Sequence, residues 1–73
     1  MDADAKELIR HLFAALTAIA EDLHDLASAG QADAPDPAYY MAKAAAITDG
    51  FGQAQALARA ADILAKRAAR GRD

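Results

Sequence analysis

A chain of 73 residues has room for one small helical domain, and at that length folding buries so little surface that small folds usually add a disulfide, a metal or a partner chain. It has no cysteine, which excludes disulfides and thiolate zinc sites. The net charge of −3 hides a division: residues 1–36 carry eight acids and two bases, whereas residues 37–73 carry three acids and six bases.

The 55% hydrophobic content is mostly methyl groups, because alanine supplies 23 of those residues. Alanine is the best helix former and β-branched residues are scarce, so the expected fold is all-α. A core built from so many methyls is thin. It holds only if backbones approach closely or if several chains share it. No apolar run nears the roughly 20 residues of a membrane span. The acidic start, MDADAKE, lacks the basic stretch of a secretion signal. These features lead to the expectation of a cytoplasmic protein with no membrane partner.

The first predicted helix spans about 4–29. Ile9, Leu12, Leu16, Ile19, Leu23 and Leu26 alternate steps of three and four, the seam of a coiled-coil-like contact. Leu8, Phe13, Ala20 and Ala27 widen it on both flanks. Asp2 or Asp4 caps its start, and Gly30 suits a left-handed stop after Ala29.

Residues 30–37, GQADAPDP, form the expected loop. Asp36 followed by Pro37 restarts a helix, with Asp as N-cap and Pro at the first helical position.

The second predicted helix spans about 37–70, with a kink or break possible at 49–52. Tyr40, Ala44, Ile47, Phe51, Ala54, Ala58, Ala61, Ala65 and Ala68 share one stripe, with Tyr39, Gly50, Leu57 and Leu64 on its edge. The phase before Gly50 and Gly52 matches the phase after them, which favours a helix that runs through. A ridge of small residues at 38, 42, 46, 50, 54 and 58 would let a facing helix come close. Two interior glycines cost about 1 kcal/mol each relative to alanine. Burying Phe51 would return roughly 1.5–3 kcal/mol, so a continuous helix calls for a buried Phe51. The fold expected is an antiparallel helical hairpin that dimerises into a four-helix bundle. The alternative is a monomeric three-helix bundle with the chain turning at Gly50. The longer second helix is expected to overhang the first and to carry much of the basic cluster there.

No motif names a chemistry. Gly50-Phe51-Gly52 lacks the third glycine of a dinucleotide loop, since Gln55 stands there, and what precedes it is helical rather than a strand. Glu21 and His24 have the Glu-x-x-His spacing of carboxylate-bridged metal bundles, but they lie outside the apolar seam. They are weak metal candidates, and no metal or cofactor is expected. One serine, Ser28, and two distant histidines offer no nucleophilic constellation, so no enzymatic activity is expected. Lys66, Arg67, Arg70 and Arg72 are the nucleic-acid candidates. Overall acidity argues against that role, and a basic last turn also satisfies the helix dipole. Tyr39, Tyr40 and Met41 cluster residue types favoured at interfaces. Ile63 joins them as a partner-binding candidate through a second, weaker stripe of Gly52, Ala56 and Ala60. The expected function is a non-enzymatic protein–protein interaction module: an adaptor, inhibitor or regulator that forms a homodimer and binds a protein partner. The alternatives are a small DNA-binding regulator using the basic C-terminal helix end and a carboxylate–histidine metal bundle.

Overall fold

The computed structural model describes residues 3–71 as two helices, α1 (Ala3–Ala29) and α2 (Pro37–Arg70), packed against each other as a hairpin. The predicted boundaries differ from these by a single residue. Asp36 is the N-cap of α2: its backbone is extended, and Oδ1 accepts the Ala38 N–H at 3.0 Å, with Pro37 beginning the helix. This satisfies one of the amide donors that a helix start leaves open. Asp2, one of the two capping candidates for α1, lies outside the described residues; Asp4 sits in the first turn.

The end of α1 departs from the expected glycine stop. No glycine among the described residues has a positive φ. The chain leaves α1 through tightened turns instead: Gly30 N–H donates to Leu26 O at 2.9 Å, Gln31 N–H to Ser28 O and Ala32 N–H to Ala29 O, both at 3.1 Å. The first is a four-residue helical bond and the other two are three-residue steps, which occupy the last carbonyls without a left-handed residue.

α2 runs unbroken through 49–52 for 34 residues. The three-helix alternative is therefore excluded. The reason lies at Gly50, where α1 comes in: a Cβ built there would stand 2.7 Å from Leu23 Cδ2. The small ridge is real at its centre, where Ala46, Gly50 and Ala54 are half-buried, while Ala38, Ala42 and Ala58 at its ends are exposed.

The α1 seam is as predicted, with Ile9, Leu12, Leu16, Ile19, Leu23 and Leu26 all half-buried. The α2 contact face is turned from the predicted stripe toward its edge. Tyr39, Lys43, Ala46, Gly50, Ala54, Leu57, Ala61, Leu64 and Ala68 face inward, while Ala44, Phe51 and Ala58 are exposed. The expectation that Phe51 is buried is thus corrected: it is 62% exposed. Gly50 occupies the contact, and the next residue is carried about 100° away from it.

The register also relocates the overhang. Leu23 lies on Gly50, and Ile19, Leu23 and Leu26 line one depression with Ala46, Gly50 and Gln53. Counting along both helices from that point, Ala3 is level with Arg70. The extra length of α2 therefore projects at the loop end, around residues 37–43, and not at the basic C-terminal end.

Among the described residues only Ala61 is buried, at 3% exposure. The hairpin is long and thin, with principal extents of 60 × 14 × 12 Å and a Cα radius of gyration of 16.9 Å. A compact domain of this length would have a radius of about 11 Å. No described helix is long and apolar enough to cross a membrane.

Candidate functional site

The loop end is held by the two tyrosines. Tyr39 O–H donates to Ala29 O at 3.0 Å, occupying a carbonyl at the end of α1. Tyr40 O–H donates to Ala32 O at 2.6 Å and accepts the Ala34 N–H at 2.8 Å. Their rings meet edge to face, 5.6 Å between centroids, and the Lys43 ammonium lies 5.1 Å from the Tyr39 centroid. Lys43, a charged residue on the contact seam, thus rests on an aromatic face that attracts cations. Polar backbone that the loop would otherwise leave to water is tied down by side chains.

Of the four partner-binding candidates, Tyr39 and Tyr40 are together and Tyr39 is half-buried. Met41 is 70% exposed and Ile63 is 46% exposed. Those two lie about 33 Å apart along α2 at 1.5 Å per residue, so they do not form one patch with each other. Ile63 instead shares a shallow groove with Gly52, Gln55, Ala56, Arg59 and Ala60. That groove is the weaker stripe read from the sequence, and it faces away from α1.

The other candidate chemistries are laid out along the surface. Glu21 and His24 line a shallow depression with Thr17, Ala20 and Asp25, and both are exposed. Glu7 Oε1 and His11 Nε2 approach to 4.0 Å. No group of three or more His, Cys, Asp or Glu among the described residues is placed to hold a metal ion. Lys66 Nζ is 2.9 Å from Asp62 Oδ2 on the exposed surface. Arg67 and Arg70 occupy the last turn of α2, and Arg72 lies outside the described residues.

One further surface is formed by residues that the sequence pattern does not mark as a site. Leu8, Phe13, Tyr40, Met41, Phe51 and Ile63 are large apolar side chains left exposed. Rotation from the contact at 100° per residue sorts them. Phe13 on α1 lies on the same side of the hairpin as Tyr40, Ile47 and Phe51 on α2, because helices facing each other in opposite directions turn toward the same side. Between Tyr40 and Ala61 this side of α2 carries no charged residue. Thr17 joins it from α1 with its hydroxyl already donated to Phe13 O at 3.1 Å, so its methyl is the group left over. On α1 this side also carries Lys6 and His24, while the opposite side of the hairpin carries His11, Asp22, Asp49 and Arg67. The signal was present in the sequence: Phe13 flanks the α1 seam, and the apolar stripe of α2 is wider than one facing helix can cover.

No protein-family model, no curated protein and no solved structure matches this chain. What defines it is architecture alone: an all-α hairpin of two packed helices.

Proposed function

We propose that this chain is a small non-enzymatic protein–protein interaction module, an adaptor, inhibitor or regulator acting through its helical surfaces, and that two copies pair into a four-helix bundle. The observation that supports this reading is surface that one hairpin leaves uncovered. The chain exposes 5486 Å², whereas a compact monomer of its 7.6 kDa would expose about 4,300 Å². The excess is about 1,200 Å² per chain. Two chains covering that excess on each other would bury about 2,400 Å² in total, within the range of obligate homodimers.

The apolar side supplies the chemistry for that burial. Phe13 and Phe51 are large, uncharged and more than half exposed, and contiguous apolar faces of this kind mark interaction surfaces. Pairing would also bury Phe51, which a lone hairpin leaves in water beside two helix-weakening glycines. The outer groove around Ile63 would stay open in such a pair and is the surface for a different protein.

Thermal unfolding across about a hundredfold range of protein concentration tests the pairing, because a folded dimer gains stability by mass action. The melting temperature should rise with concentration. A melting temperature independent of concentration, with full cooperativity, would refute the homodimer.

A further inference from the structure

The uncovered face has a direction. We infer that its occupant is a second copy lying antiparallel, with loops at opposite ends and a two-fold axis passing between Gly52 and Gln53 of α2; this rests on the homodimer reading above. Along α2 the large residues of the face come first, Tyr40, Ile47 and Phe51, and the alanines come after, Ala54, Ala58 and Ala65. An antiparallel two-fold at that point exchanges the halves. Phe51 then meets Ala54 of the second copy, Ile47 meets Ala58, and Tyr40 meets Ala65. Each large side chain is given a small one, as close packing of facing helices requires.

On α1 the same axis falls between Ala20 and Glu21, because Leu23 lies on Gly50. Phe13 is then opposite Ser28 of the second copy.

The rival arrangement puts both loops at one end, and two features of the hairpin disfavour it. First, α2 projects past α1 at the loop end. With loops together, Tyr40 has no helix of the second copy to rest on, whereas the antiparallel arrangement lays it on α2. Second, the loop carries Asp33 and Asp36 and no base, and the far end of α2 carries Lys66, Arg67 and Arg70, with Asp4, Lys6 and Glu7 beside it on α1. Antiparallel pairing sets the acidic loop of one copy beside the basic end of the other. Loops at one end would bring four carboxylates together. Complementary charge of this kind selects orientation.

The chain has no cysteine, so one substitution gives one label. Ala38→Cys places a nitroxide on an exposed residue of the first turn of α2, away from the proposed contact. Double electron–electron resonance on the labelled protein, with sedimentation of the same sample, reads both arrangement and mass. The antiparallel pair predicts a dimer with labels about 45 Å apart, from 1.5 Å of rise per residue. A dimer with labels closer than about 30 Å, the thickness of packed helices carrying side chains, would overturn the antiparallel arrangement and leave the homodimer standing. A monomeric mass with no dipolar coupling would overturn both.

Discussion

Replacing Gly50 and Gly52 by alanine, one at a time, probes the path of α2 and its crossing with α1. In a helix interior each change gains about 1 kcal/mol of propensity. At Gly52 an added Cβ meets nothing within 4 Å, so the gain is kept. For a domain of this size that raises the melting temperature by about 4–8 °C. At Gly50 the added Cβ would stand 2.7 Å from Leu23 Cδ2, closer than real side chains come. Leu23 is half-buried on the seam and has to swing aside, and overpacking of this kind costs about 1–3 kcal/mol. Gly50→Ala is therefore expected to range from neutral to a loss of about 2 kcal/mol, the balance of these terms. Thermal melts followed by far-UV circular dichroism, at one fixed protein concentration, measure both variants. Destabilisation by Gly52→Ala would mean that the backbone is not helical there. Equal stabilisation by both variants would mean that Leu23 does not lie on Gly50.

Other substitutions test separate parts of the hairpin. Asp36→Ala removes the carboxylate that accepts the Ala38 N–H at 3.0 Å and should cost about 1 kcal/mol in chemical denaturation. Tyr39→Phe keeps the ring and deletes the hydroxyl that donates to Ala29 O; a loss of about 0.5–1.5 kcal/mol is expected, with earlier amide exchange at the start of the loop. Lys66→Ala breaks an exposed pair with Asp62 and should change stability by less than about 0.5 kcal/mol. A larger effect there would mean that Lys66 makes a contact beyond the hairpin.

The features legible in the sequence were those with local causes. The heptad spacing from Ile9 to Leu26 named the inner face of α1 because period alone decides which side chains share a face. Asp36-Pro37 named the start of α2 because capping is a matter of adjacent residues. What misled was the centre of the α2 stripe. Its many alanines give periodicity little weight to choose between neighbouring faces, so Phe51 was assigned inward when Gly50 and Leu57 mark the contact. The overhang was placed at the wrong end for a related reason. Helix lengths can be read from sequence, but their stagger depends on which residues meet, and that was fixed by Leu23 finding the gap at Gly50. The tyrosines' bonds to loop carbonyls were hidden as well, since their partners are backbone atoms made reachable only by the turn.

The proposal that a second copy covers the face bearing Phe13 and Phe51 has one direct test. Sedimentation equilibrium of the natural chain and of Phe51→Asp at micromolar concentration tests it. The natural chain should give twice the 7.6 kDa of one copy, and Phe51→Asp, which would bury a charge against an alanine, should shift the population to the single-chain mass. A single-chain mass for the natural protein with its helical content intact would contradict the account, as would a dimer that Phe51→Asp leaves unchanged.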